Sequence, residues 1–256
     1  MRIAGIEKSS FVDYPGRLAT VLFTPGCNLD CFYCHNRHLL AALDEEKFYA
    51  PQDILNFLRS RQGLIDAVVI SGGEPTLQND LFEFMYQIRQ MRFEIKLDTN
   101  GLRPWIVKSL ITHKLVDFIA MDIKAPLHKY FRIVNSDVPQ EILRESIDLI
   151  MSSNVEYEFR TTVAPMLTMS DILDIATMIK GAKRYALQQY RQPGTAVDMF
   201  GVVRYPDPHP VSFLHQAHEL IAKFVQHCEI RGLGGDQPKP VTLAYEPSAI
   251  DEPVNF

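Results

Sequence analysis

The chain has 256 residues, enough for one large domain or two small ones with an ample core. Apolar residues make up 46% and charged residues 22%, the balance of a globular protein rather than a disordered one. The net charge of −5 argues against a surface built to neutralise phosphates. No apolar run reaches the roughly 18 residues of a membrane span or forms a secretory h-region. The expected location is the cytoplasm, with neither nucleic acid nor membrane as partner.

In chain order, Ser9 to Arg17 ends in Pro15-Gly16, a strong turn signal before the first strand. Apolar, β-rich runs follow at 18–24, 67–71, 93–98, 118–124, 155–163 and, more weakly, 185–190. Helical patterns lie between them: one opened by Pro51, then 81–91, 105–115, 140–151 and 172–179, and a last one from about Val211 to Cys228. Repeating β-α units predict a parallel sheet with right-handed crossovers. Polar motifs end four successive strands, which favours a full or partial (β/α) barrel over an open doubly wound sheet. Residues 1–231 are expected to form the domain, and the Gly- and Pro-rich residues 232–256 a tail without chemistry.

Three of the four cysteines fall within eight residues, as Cys27-Asn-Leu-Asp-Cys31-Phe-Tyr-Cys34. Thiols this close cannot staple distant loops, so they read as a metal site. Structural zinc takes four ligands, usually as pairs from separate loops. A [4Fe-4S] cluster held by three thiolates keeps one iron open for a substrate. Cys228, the tempting fourth ligand, reads as a buried structural thiol. His209, His215 and His218 have no acidic partner at metal spacing and read as surface or cap residues.

This C-x3-C-x2-C loop, with Tyr33 at the aromatic position, resembles the radical SAM superfamily. The resemblance implies a partial (β/α)6-type barrel, a [4Fe-4S] cluster on Cys27, Cys31 and Cys34, and S-adenosylmethionine (SAM) on the open iron. Reductive cleavage of SAM would give a 5′-deoxyadenosyl radical that abstracts hydrogen, with the cofactors supplying the hard chemistry.

The later strand ends extend the resemblance. Two glycines in Ser71-Gly72-Gly73-Glu74-Pro75 let backbone approach a ligand closely. The segment is similar to the family motif that binds the SAM amino group. Asp98-Thr99-Asn100-Gly101 and Met121-Asp122-Ile123-Lys124 could hold a structural ion pair. Their similarity to pyruvate formate-lyase activating enzymes implies a monovalent cation on Asp98, Thr99, Met121 and Asp122. It also implies SAM contacts at Tyr33, Gly72, Gly73, Glu74, Thr99, Asn100 and Lys124. For Arg160 two roles stand open: a fork on the SAM carboxylate or an internal ion pair. Tyr190-Arg191 stands where those activases have Tyr-His, which leaves ribose recognition on that strand in doubt.

The segment Asp13-Tyr14-Pro15-Gly16, read with Cys34-His35-Asn36, resembles the glycyl radical enzyme activases, above all those of anaerobic ribonucleotide reductase. In other activases a glycine stands where this chain has Tyr14. The resemblance implies that Asp13, Tyr14, Pro15 and Gly16 meet a partner's glycine loop. It implies a reduced flavodoxin- or ferredoxin-type electron donor as well. A radical SAM enzyme acting on a small molecule or peptide is the alternative, and a non-catalytic cluster-binding module is the alternative of another class.

Overall fold

The computed structural model describes residues 1–40, 48–193, 197–198, 201–202 and 205–233. One eight-stranded sheet organises the chain. Strand β1 (Gly5–Ser10) runs antiparallel to β2 (Ala19–Thr24). From β2 onward the neighbours pair in parallel: β3 (Ala67–Gly72), β4 (Glu94–Thr99), β5 (Phe118–Asp122), β6 (Glu156–Val163) and β7 (Arg184–Gln189). Strands β8 (Val197–Asp198) and β9 (Gly201–Val202) form a separate ribbon, and β10 (His227–Arg231) closes the large sheet beside β7. Strands β1 and β10 do not pair with each other, so the barrel is unclosed.

Helices cover the outside: α1 (Pro51–Ser60), α2 (Leu81–Gln90), α3 (Pro104–Thr112), α4 (Tyr130–Val134), α5 (Gln140–Ser152), α6 (Met169–Met178) and α7 (Val211–Ile221). Their starts follow local chemistry. Proline stands at the first position of α1 and α3, where no amide donor is needed. Thr168 and Asp171 form a reciprocal capping box on α6. None of the described helices is long and apolar enough to cross a membrane.

Strand alternation sorts the side chains into two environments. Leu22, Val68, Ile70, Ile95, Leu97, Ile119 and Phe159 point outward into one large core with the helices. Each fully buried side chain of this size contributes about 1.5–3 kcal/mol. The inward positions begin with a small apolar floor of Ala19, Val21, Ala67, Val69, Phe118 and Ala120. Towards the C-terminal strand ends the same face turns polar, through Ser71, Lys96, Asp98, Asp122, Glu158 and Arg160.

The six expected strands are present in the large sheet, which has two others, β1 and β10, not anticipated from the sequence; the β8–β9 ribbon is also additional. Polar alternation in Gly5–Ser10 hid the edge strand β1. The expected helix to Cys228 stops at Ile221. The chain then makes a 3-10 turn at Ala222–Phe224 and turns extended at Val225. Cys228 therefore lies on β10, with its thiol half-buried and pushed up to about 11 by burial. Of the expected tail only Gly232 and Leu233 belong to the described residues.

Candidate active site

The cysteine loop and the glycine turn are built against each other. The loop leaves β2 through Pro25 and Gly26. Gly73 N donates to Thr24 O at 2.8 Å, and Glu74 N donates to Gly26 O at 2.8 Å. A Cβ on Gly73 would sit 1.9 Å from Gly26 O, and one on Gly72, at φ +116°, would sit 2.3 Å from Thr24 N. The close approach that requires glycine is thus between two stretches of backbone, not only between backbone and ligand.

Cys27, Cys31 and Cys34 are unbridged and line one cavity of about 720 Å³. Leu29 N points at Cys27 Sγ (3.4 Å), and Asn100 Nδ2 lies 3.8 Å from the same sulfur. The loop rests on α4 through Asp30 N to Val134 O at 2.9 Å and Phe32 N to Ile133 O at 3.3 Å. Burial pushes the Cys27 thiol up to about 12 and Cys31 to about 11, and raises Cys34. Three thiolates in so dry a place need a compensating metal charge.

Thiolates around one zinc lie about 3.8 Å apart, from a Zn–S bond of about 2.3 Å. Among the described residues, the group of three ligand atoms all within 4.8 Å of one another is His128, Asp171 and Asp174, not the three cysteines. The three sulfurs therefore do not all lie within 4.8 Å of one another in this structure.

Glu74 is 1% exposed, and neutral groups alone donate to it. Oε1 accepts from Thr76 N (3.1 Å), Thr76 Oγ1 (2.5 Å) and Thr99 Oγ1 (2.8 Å), and Oε2 from Asn100 N (2.7 Å). Burial raises its pKa, and among the described residues no cation bonds it, although a buried carboxylate demands one. Tyr33 Oη, buried beside the cysteines, has no hydrogen-bond partner among the described residues. A buried carboxylate without a cation and an orphaned hydroxyl, both on the cavity wall, fit an amino-bearing polar ligand.

A ladder of charges crosses the cavity. Lys96 Nζ bonds Asp98 Oδ1 at 2.7 Å, and Ser71 Oγ donates to Asp98 Oδ2 at 3.0 Å. Arg160 grips Asp122 at 2.9 and 3.2 Å and reaches Asp98 at 3.4 Å, while Lys124 Nζ lies 3.0 Å from Asp122. Burial opposes charge on both aspartates, but Arg160 and the lysines outweigh it and hold both below the usual carboxylate range. Burial likewise opposes charge on Lys124, and Asp122 outweighs it. Of the two roles open to Arg160, the structure shows the ion pair.

Of the four expected cation ligands, Asp98, Thr99 and Asp122 line the cavity. Thr99 Oγ1 donates to Glu74, which shares that cavity, whereas the Met121 side chain is fully buried against Gly101. Adjacent strand residues point to opposite faces. Of the expected partner residues, Asp13 and Pro15 line the cavity. Tyr14 does not: it is 5% exposed and stacks obliquely on Phe118, with ring centroids 5.7 Å apart. Gly16 lies outside at φ +73°. Arg191 is on the wall and donates to Gly232 O at 3.2 Å.

Sequence reasoning passed over Lys96, Glu158 and Arg231, which share this cavity. Glu158, 1% exposed, receives Arg231 from across β7 through two bonds of 3.0 and 2.7 Å. Inward parity with Asp98 and Arg160 was the available signal for Lys96 and Glu158. His209 stacks on Phe213 and bonds Leu167 O at 2.9 Å, and His218 bonds Cys228 O at 3.0 Å.

The sequence model of the radical SAM superfamily matches residues 21–179, which hold the cysteine loop, the glycine turn and the charge ladder. The chain belongs to the radical SAM superfamily. Membership implies a [4Fe-4S] cluster and SAM as its cofactors. The chain is 33% identical over 240 residues to an inferred glycyl-radical enzyme activating enzyme of Methanocaldococcus jannaschii, covering 91% of this chain and 97% of that one. It is 31% identical over 129 residues to the pyruvate formate-lyase-activating enzyme of Staphylococcus aureus, covering 46% of this chain and 51% of the other. In fold it is similar to Streptococcus suis SuiB bound to S-adenosylmethionine, with a TM-score of 0.61 at 14% identity over 82% of this chain. It spans about half of SuiB.

Proposed function

We propose that this radical SAM enzyme is an activase that takes a hydrogen atom from a backbone glycine of a partner enzyme. One observation carries the reading: the three cysteines and the Asp13–Pro15 turn line the same cavity, in a sheet left open between β1 and β10. The similarity along 91% of the chain to an inferred activating enzyme supports it. An open side suits a macromolecular substrate, whose backbone must reach the cluster.

Cys27, Cys31 and Cys34 would hold three irons and leave the fourth for SAM. When bound, these cofactors supply an electron that cleaves SAM reductively and leaves a carbon radical able to take hydrogen. Glu74, fixed by Thr76, Thr99 and Asn100, presents an uncompensated carboxylate to the SAM amino group. Tyr33, which lines the same cavity, keeps an unused hydroxyl donor. Lys124, aimed by Asp122, is the cation placed for a carboxylate. Arg160 acts through Asp122 and Asp98 rather than on SAM. A monovalent cation at Asp98 and Asp122 would share both carboxylates with Lys96, Lys124 and Arg160.

The partner we assign is anaerobic ribonucleotide reductase, on the likeness of the Asp13-Tyr-Pro-Gly and cysteine segments. The electron donor is a reduced flavodoxin- or ferredoxin-type protein, and the location is the cytoplasm, where thiols stay reduced. The test is anaerobic reconstitution, reduction and addition of SAM. We expect 5′-deoxyadenosine from the wild type and none from Cys31→Ser. Full product from that variant would overturn the reading.

A further inference from the structure

Tyr14 is the one member of the Asp13–Pro15 turn that does not line the cavity, and nothing in the cluster chemistry needs a tyrosine there. Its ring fills the floor of the barrel among Ala19, Val21, Ala67, Val69 and Phe118. Its ring packs on Phe118, and its hydroxyl is influenced by Glu94, at the start of β4. Glu94 in turn takes Arg17 through two bonds, at 3.0 and 2.7 Å. Arg17 N donates to Tyr14 O at 3.2 Å, closing a four-residue turn with Pro15 second and Gly16 third, at φ +73°. That is the residue order of a type II turn. On the other side, Ser10 Oγ bonds the Asp13 carboxylate and receives Val12 N at 3.2 Å.

The segment is therefore fastened at both ends and in the middle. Its fixed residues Asp13 and Pro15 face the cavity, and Phe11 and Val12 stand 78% and 86% exposed beside it. Exposed apolar residues next to a rigid polar turn are the make-up of a docking ridge. Val12 also borders the cavity, so a chain lying on the ridge enters it directly.

We propose that Tyr14 is a positioning residue that locks the Phe11–Gly16 ridge, so that Asp13 and Pro15 receive an extended, glycine-bearing segment of the partner in one preset geometry. This rests on the activase reading. A glycine at this position would leave the turn held by Ser10 and Arg17 alone, and the partner would have to order it on binding. Pre-organisation of this kind shows in affinity, because ordering costs fall on the binding step.

Three readouts test it with Tyr14→Gly and Tyr14→Phe. Hydrogen exchange of the metal-free protein should show amides 13–17 opening at least tenfold faster in Tyr14→Gly. The dissociation constant for the anaerobic ribonucleotide reductase of the same genome should rise at least tenfold. With that partner labelled by α-deuterated glycine, the share of 5′-deoxyadenosine carrying deuterium should fall. Tyr14→Phe, which keeps the ring, should lie between, and it decides the matter if Tyr14→Gly does not fold. Any variant that leaves the loop protected, or frees it without weakening partner binding, overturns the inference. If the wild type cleaves SAM but transfers deuterium from no glycyl radical enzyme, the activase reading itself fails.

Discussion

Gly73→Ala tests how the cofactor loop is held. The new Cβ would lie 1.9 Å from Gly26 O, and real contacts of this kind stay above 3.0 Å, so backbone must move by about 1.1 Å (3.0 − 1.9). Overpacking of this sort costs about 1–3 kcal/mol. The movement also strains the Glu74 N to Gly26 O bond of 2.8 Å, and losing a buried bond costs about 1–3 kcal/mol more. The expected loss is about 2–6 kcal/mol, read by urea unfolding of the metal-free protein. Since Gly26 adjoins Cys27, iron per chain after anaerobic reconstitution should fall as well. Gly63→Ala is the control: at φ +80° with nothing within 4 Å of its Cβ, it carries only the left-handed strain of about 1–2 kcal/mol. It should keep full iron. A Gly73→Ala protein as stable and as iron-rich as the wild type would refute this account of the loop.

Other expectations follow from the same geometry. In the metal-free protein, raised thiol pKa values leave Cys27 and Cys31 protonated at pH 8. Iodoacetamide should label them about a hundredfold more slowly than in the denatured chain, with the rate climbing towards pH 11; denatured-like rates would contradict this. The depressed carboxyls of Asp98 and Asp122 mean that the unfolded chain takes up protons first as pH falls. Their stabilisation is complete above roughly pH 5 and lost from about pH 4 downward. Asp122→Asn should flatten that acid slope in thermal melts, and an unchanged slope would count against the network. Arg231→Met strands Glu158 in the core. The loss should be no more than about 3 kcal/mol, since Arg231 is itself one-third exposed, and Glu158→Leu in the same chain should restore most of it. Failure of the double variant to recover would point to a different role for the pair.

Much of the site was legible because its chemistry is local. The cysteine loop, the glycine turn and the Asp98 and Asp122 segments each end a strand with a strong apolar pattern. Parallel pairing then brings those ends together. What stayed hidden is non-local or parity-dependent. Strands β1 and β10 are short, polar edges, so neither has the apolar signature of the central six. Met121 was joined to Asp122 by the resemblance, and a period of two puts their side chains on opposite faces. Glu158 and Arg231 are 73 residues apart, and nothing near either one announces the other. Tyr14 reads as a surface turn residue until the barrel floor that receives it exists.

The most direct test of the activase reading is electron paramagnetic resonance. The reconstituted, reduced protein would be incubated with SAM and the anaerobic ribonucleotide reductase of the same genome. The account predicts a glycine-centred doublet on the partner that is absent with Cys31→Ser. Formation of 5′-deoxyadenosine with no doublet on this or any other glycyl radical enzyme would contradict it.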